Sequence, residues 1–306
     1  MHFSDSWKIL LQTSPYLFFR ITVYLGLGIG VGIYLGFVFF LTKLFGAGGW
    51  LFLIGLAVLW GLLRLIRNYV LYMIQAGHIA VITELVQKGE LPPGVNQVRH
   101  GKETVTRLFK ETSVLFVVDQ LVKGIIRAVN RTLVSFTQII PIPGLENLAR
   151  LASTVFNFSV TYVDEAIFSY NLARPGEDIW VSAKRGIILY VQNWKPILKT
   201  AVGLAAVNLL AFVVFFLVLL IPFGSLAALA QGEGWKFFWL VLTVVLAYSL
   251  KLALVNPFSL VSMILTFNRA VAGQEPNLEW EEKLEQISGK FKELKEKALG
   301  SAGFSS

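Results

Sequence analysis

The fold of this chain is decided by residues 21–41, which read ITVYLGLGIGVGIYLGFVFFL and carry no charged side chain. A helix of about 20 apolar residues matches the hydrocarbon thickness of a lipid bilayer. Residues 50–74, 197–221 and 237–255 form three further apolar segments, the last followed by an apolar stretch to residue 267. The four segments predict an all-α, polytopic membrane protein that contains two transmembrane helical hairpins.

The charges of the chain indicate how these hairpins are oriented. Of the 27 lysines and arginines, only Lys43 and Lys236 lie at the short loops that join the paired segments. Trp50 and Trp235 flank the same loops, as expected of residues at a membrane interface. The positive-inside rule therefore predicts outward-facing loops, cytoplasmic N and C termini, and insertion into the plasma (cytoplasmic) membrane.

The composition excludes several classes of function. The chain has no cysteine, and its three histidines lack the spacing of metal ligands. No nucleotide-binding or nucleophile motif occurs, so we expect neither an enzyme nor a cofactor. The net charge of +8 favours an anionic inner leaflet as partner, not nucleic acid.

The whole chain divides into four consecutive regions. We predict an N-terminal transmembrane hairpin over residues 1–76 and a basic amphipathic or re-entrant helical region over 77–195. A C-terminal transmembrane hairpin follows over 196–270, and a charged cytoplasmic helix and tail over 271–306. Asp178 and Asn277 are the expected N-caps of two of the helices outside the hairpins. In the last helix, apolar residues recur at helical spacing: Leu284, Ile287, Phe291, Leu294 and Ala298.

The central region contains a charged helix and a sharp break. One polar stripe recurs every four residues: Asp119, Lys123, Arg127 and Arg131. The sequence Pro141-Ile-Pro143-Gly144 must interrupt a helix and predicts the tip of a hairpin. This hairpin either dips halfway into the bilayer, which gives four spans, or crosses it, which gives six.

Glycines four residues apart mark one face of the first apolar segment. Gly28, Gly32 and Gly36 share that face, where the absence of side chains lets a second helix approach closely. We call the contact between this glycine face and the second helix the seam. It joins either two helices of one chain or two protomers of a homo-oligomer. It either lies beside a pore or is only a packing surface.

Polar residues at membrane depth are the candidate contacts for a solute or a lipid headgroup: Lys251, Asn256, Asn208, Arg64, Arg67, Arg127 and Arg131. Lys251 precedes Asn256-Pro257, which predicts a kink with freed carbonyls. Lys251, Arg64 and Arg67 either bind an anionic group or extend to the headgroups. Asn208, near the middle of its apolar segment, either bonds a neighbouring helix or contacts a ligand.

One stretch resembles a known family. Residues 162–171 (YVDEAIFSYN), then 180–184 (WVSAK) and two apolar segments ending in 258–261 (FSLV), are similar to the C-terminal half of choline-transporter-like membrane proteins. The resemblance covers residues 162–268. This chain has Thr266-Phe-Asn-Arg269 where that family has an acidic stretch, so no binding residue is transferred.

Two functions are consistent with these features. The first is a membrane protein that forms a solute path or channel, for anions if the cationic bias selects the solute, as a homo-oligomer. The second is a scaffold or adaptor that does not transport. It would bind the inner leaflet or a partner protein through basic amphipathic helices, with the C-terminal helix as the handle.

Overall fold

The computed structural model describes residues 3–46, 48–108, 112–138 and 162–302, and the regular structure within these ranges is entirely helical. The helices are α1 (Phe3–Gln12), α2 (Ser14–Leu44), α3 (Gly48–Ile66), α4 (Tyr72–Lys88), α5 (Gln97–Leu108), α6 (Thr112–Gln138), α7 (162–172), α8 (Ile179–Gln192), α9 (Trp194–Leu229), α10 (Glu233–Leu250), α11 (Asn256–Val271), α12 (Leu278–Ile287) and α13 (Gly289–Ala302). A π-helical turn over Arg67–Leu71 joins α3 to α4, and a second one over Lys251–Val255 joins α10 to α11.

Four continuous helices are long and apolar enough to cross a membrane: Ser14–Leu44, Gly49–Lys88, Trp194–Leu229 and Glu233–Val271. This agrees with the four apolar segments of the sequence. The apolar segment 197–221 stops before Pro222, which would be expected to end the helix, but α9 continues to Leu229. Proline removes the N–H that would donate to the carbonyl of Val218, four residues earlier, yet the helix continues through this position.

The chain packs as two compact units, each drawn from separate stretches. We call residues 14–76 and 207–257 the membrane unit. We call residues 1–13, 77–206 and 258–306 the charged unit, since it holds most of the ionisable side chains.

In the membrane unit, α2 packs antiparallel to α10 on one face and to α3 on another. The Phe39 and Trp235 rings meet edge to face with centroids 5.1 Å apart, close to the α2 C-terminus and the α10 N-terminus. On the α3 side, the Tyr34 hydroxyl donates to the Gly55 carbonyl at 3.0 Å. The outer faces of α3 and α9 are largely exposed and apolar, as expected of surfaces solvated by lipid.

In the charged unit, α4 and α5 touch through two glycines. A Cβ atom at Gly101 would lie 2.3 Å from the Gly77 carbonyl oxygen, closer than two non-bonded atoms can come. Nearby, the His78 Nε2 lies 3.1 Å from the Thr13 hydroxyl, and both side chains are fully buried.

The N-caps predicted for the charged unit are confirmed. The Asp178 carboxylate accepts from the backbone N–H groups of Trp180 and Val181 at 2.9 and 3.2 Å. The Asn277 side chain accepts from the Glu279 N–H at 2.7 Å. Each cap supplies an acceptor to N–H groups that the first helical turn leaves unsatisfied.

The C-terminal segment is two helices with a break at Ser288. Its apolar side chains pack inside the charged unit, and four of them are buried: Leu284, Phe291, Leu294 and Ala298. Ile287 lies next to the break and is 38% exposed, so the helical spacing is not maintained there. Ion pairs link α12 to α8 and to α13, because Glu281 contacts Lys184 of α8 at 3.3 Å and Lys295 of α13 at 3.0 Å.

Candidate functional site

The predicted glycine face of α2 lies against α10 of the same chain. A Cβ atom at Gly28 would lie 2.6 Å from the Ser249 Oγ, and one at Gly32 would lie 2.5 Å from the Leu242 Cδ1. At Gly36 the corresponding distance to the Phe238 ring is 3.4 Å, ordinary contact. The close approach of the two helices thus depends chiefly on Gly28 and Gly32.

The same α2 face continues from the glycines to Tyr24, Arg20 and Tyr16, each four residues from the next. All three side chains are buried, and the Arg20 side chain is only 2% exposed. The Tyr16 hydroxyl donates to the Ile74 carbonyl at 2.9 Å. The seam that brings α10 close therefore also encloses a guanidinium group.

The π-helical turn before Pro257 explains where one Arg20 nitrogen points. In this turn the Asn256 N–H bonds to the Lys251 carbonyl, five residues back. The next bond of the same register would run from residue 257 to the Leu252 carbonyl, but proline has no N–H. Arg20 Nη2 donates to that carbonyl instead, in a long bond of 3.5 Å.

The remaining Arg20 nitrogens have less support. Nε and Nη1 are buried and donate to no acceptor among the residues that the structure describes. The guanidinium carbon lies 5.3 Å from the centre of the Tyr24 ring, a cation–π contact that stabilises positive charge without an acceptor. A buried N–H without an acceptor costs about 1–3 kcal/mol.

No carboxylate in the membrane unit can neutralise Arg20. The unit's stretches contain six basic residues, Arg20, Lys43, Arg64, Arg67, Lys236 and Lys251, and one acidic residue, Glu233. Glu233 contacts Lys236 at 2.8 Å, at the start of α10. Buried charges in membrane helices are normally paired, and this unit offers Arg20 no carboxylate for such a pair.

The other predicted contacts within this unit, except Asn208, lie toward the same end. At a rise of 1.5 Å per residue, Lys251 lies about 27 Å from Glu233, and Arg67 about 27 Å from Gly49. Asn208 lies about 32 Å from Leu229 and about 21 Å from Trp194, near the middle of α9. Asn208 is buried, Lys251 and Asn256 are half-buried, and Arg64 and Arg67 are exposed.

The Lys251 ammonium lies 5.8 Å from the Tyr248 ring centre. It is one residue from the carbonyl that Arg20 contacts. Arg20, Lys251 and the π-helical turn form what we call the basic site.

Of the remaining predicted residues, two belong to the charged unit and three lie outside the described residues. Arg127 and Arg131 are exposed on α6, which belongs to the charged unit. The hairpin tip, Pro141, Pro143 and Gly144, lies outside the described residues.

A groove of about 330 Å³ in the charged unit is lined by Arg174 and Arg185. Both arginines already have acidic partners, since Arg185 contacts Glu275 and Glu177, and Arg174 contacts Glu177 at 3.7 Å. This groove therefore has no excess positive charge from its arginines.

A scan against protein-family models gives no match, and searches of curated proteins and of solved structures give no significant match. The resemblance to choline-transporter-like proteins stays a prediction. The identification of the chain thus ends at its architecture, a membrane protein with four candidate transmembrane helices and a buried arginine in its membrane unit.

Proposed function

We propose that this protein provides a path for a small anionic solute through the membrane, with Arg20 as the group that binds the anion. The observation that carries the proposal is a buried guanidinium with two free nitrogens in a unit that offers it no carboxylate. An anion that leaves water for a helical bundle needs charged hydrogen-bond donors to replace its hydration.

Lys251 would add positive charge beside Arg20 and lower the cost of moving an anion toward the bundle. Arg64 and Arg67, exposed toward the same end of their helix, would raise the local anion concentration by long-range attraction. In the orientation that we propose, this end and both termini face the cytoplasm and the anionic inner leaflet. The exposed apolar faces of α3 and α9 leave room for lipid or for further protomers of a homo-oligomer.

The test is anion flux into proteoliposomes that contain the purified full-length protein. Arg20→Gln should abolish the flux, because the amide cannot carry the charge. Arg20→Lys should retain part of it, since the lysine keeps the charge but loses the fixed geometry of the guanidinium. Lys251→Met should also abolish the flux.

Lys236→Gln is the matched control, because it removes a cation of the same unit at the far end of α10, beside Glu233. Its flux should equal that of the wild type. Equal flux in the wild type and in Arg20→Gln would refute the assignment of Arg20, and unchanged flux in Lys251→Met would refute that of Lys251.

The alternative function is a scaffold that does not transport. Its proposed handle was the C-terminal helix, whose apolar face packs inside the charged unit. That packing leaves mainly charged side chains for a partner and gives the scaffold less support. If the scaffold function holds, deletion of residues 277–306 should abolish partner recovery while membrane insertion is unchanged.

A further inference from the structure

A cluster of one buried and two half-buried charges lies in the charged unit, on α6 and α7. Lys123 Nζ donates to the Asp119 Oδ2 at 2.7 Å and lies 3.3 Å from the Asp164 Oδ2. The Asp164 side chain is 2% exposed, while those of Asp119 and Lys123 are 17% and 29% exposed. One ammonium group therefore serves two carboxylates, and we call these three residues the acidic triad.

The acidic triad has one negative charge too many when all three groups are ionised. Within the described part of the chain, Asp164 Oδ1 is buried without a well-formed hydrogen bond, and only the backbone N–H of Glu165 gives this carboxylate weak support. An ionised carboxylate with an unsolvated oxygen is costly in a protein interior. A proton on one carboxylate would remove the excess charge and leave the other carboxylate paired with the ammonium.

We propose that Asp119, Lys123 and Asp164 form a proton-binding site that holds one proton on a carboxylate oxygen. When the proton is bound, the triad contains a carboxylic acid, an ammonium and a carboxylate, with a net charge of zero. Release transfers the proton to water and leaves a net charge of minus one. No other bond changes and no electron is transferred.

Within the part of the chain that the structure describes, few other charges act on the triad. Arg127 of α6 and Glu165 of α7 exert opposite electrostatic effects on it. On α13, the Lys290 side chain lies over Gly124, next to Lys123 in sequence. Among the ionic groups of α8, α12 and α13, four pair with one another: Lys184, Glu281, Glu285 and Lys295.

The direction of the pKa shifts agrees with this arrangement. Burial raises the pKa of Asp164 to about 7, against the attraction of Lys123 and with repulsion from Asp119. Burial also raises the pKa of Asp119. For Lys123, burial lowers the pKa but the two carboxylates raise it by more, so the ammonium stays charged. The titrating proton therefore resides on a carboxylate.

The experiment uses the small number of aspartates in the chain. Only four are present, Asp5, Asp119, Asp164 and Asp178. Full-length protein labelled with ¹³Cγ-aspartate gives four carboxyl signals by NMR in detergent, and Asn substitutions assign them. We expect one triad carboxyl to remain protonated above the ordinary aspartate range and to titrate near pH 7.

Two variants separate a proton site from a merely structural ion pair. Asp164→Asn leaves one carboxylate for one ammonium, so the titration near neutral pH should disappear. Lys123→Met leaves two carboxylates without a cation, so that titration should move to higher pH. The proposal is overturned if both triad carboxyls of the wild type are ionised throughout the range above about pH 5. The wild-type titration decides this even if a variant fails to fold. The result is independent of anion flux.

Discussion

Replacement of Arg20 by methionine should separate stability from function. Methionine has nearly the length of arginine without its charge, and it adapts to irregular cavities. In a solution without a small anion, the wild type holds a guanidinium with two buried nitrogens that lack an acceptor. The variant removes that penalty, so we expect its unfolding free energy to be equal to or higher than that of the wild type.

The magnitude follows from the contacts of Arg20. Relief of two unsatisfied N–H groups contributes about 2–6 kcal/mol in favour of the variant. Against this, Arg20→Met loses the long hydrogen bond to the Leu252 carbonyl, worth about 1 kcal/mol. It also loses the contact with the Tyr24 ring, worth about 0.5–2 kcal/mol. The net change lies between a destabilisation of about 1 kcal/mol and a stabilisation of about 4 kcal/mol, and most of this range is stabilising.

The assay is thermal unfolding in detergent with and without added anion. Saturating anion at about 100 times its Kd should stabilise the wild type by about 2.7 kcal/mol and leave Arg20→Met unchanged. Lys236→Met, at the far end of α10, is the control and should keep the anion effect. A destabilisation of Arg20→Met by more than about 2 kcal/mol, with no anion effect on the wild type, would refute the reasoning.

Further predictions concern the packing, the acidic triad and the topology. Gly101→Ala should lower the unfolding free energy by about 1–3 kcal/mol, because its Cβ would meet backbone. Gly30→Ala should not lower the unfolding free energy, because a Cβ atom at this position would have no other atom within 4 Å. Chemical denaturation compares the two, and equal stabilities would contradict the packing. Phe291→Ala should cost about 3–5 kcal/mol in the same assay, since its side chain is fully buried. A cost below about 1 kcal/mol would contradict the docking of α13. The folded-state pKa of Asp164, about 7, lies above its unfolded value. Its contribution to stability is thus present at low pH and lost as the pH rises through 7. Between about pH 5 and about pH 8 the melting temperature should therefore fall less in Asp164→Asn than in the wild type, and equal slopes would exclude Asp164 as the cause. A cysteine at Ile142 should be inaccessible to an impermeant maleimide from either side if the hairpin dips into the bilayer. Labelling from outside would mean six spans.

Much of the membrane architecture could be predicted from the sequence. Apolar runs of sufficient length are a local property, and the four spans follow from them because a bilayer selects long apolar helices. The N-caps at Asp178 and Asn277 are also local, since the cap and the N–H groups that it accepts lie within three residues. The extension of α9 past Pro222 could not be predicted in this way, because a proline in an apolar segment predicts either a helix end or a kink.

The basic site illustrates a signal that is present in the sequence but needs the structure to be interpreted. Arg20 lies in the same four-residue register as Gly28 and Gly32, yet an arginine near a helix end is equally consistent with extension to headgroups. The structure decides between these because α10 covers this face of α2. The freed Leu252 carbonyl and the Arg20 nitrogen are 232 residues apart, and no local pattern joins them.

The acidic triad, like the basic site, could not be recognised from the sequence alone. The sequence placed Lys123 four residues after Asp119, as in many exposed helix pairs, and placed Asp164 next to Glu165 on another helix. By itself, then, the sequence determined the four apolar helices, two N-caps and the one-sided charge of the membrane unit, because hydrophobicity and capping act over a few residues. The tertiary structure alone decided which charges are buried together, because burial and pairing depend on the packing of helices far apart in the chain.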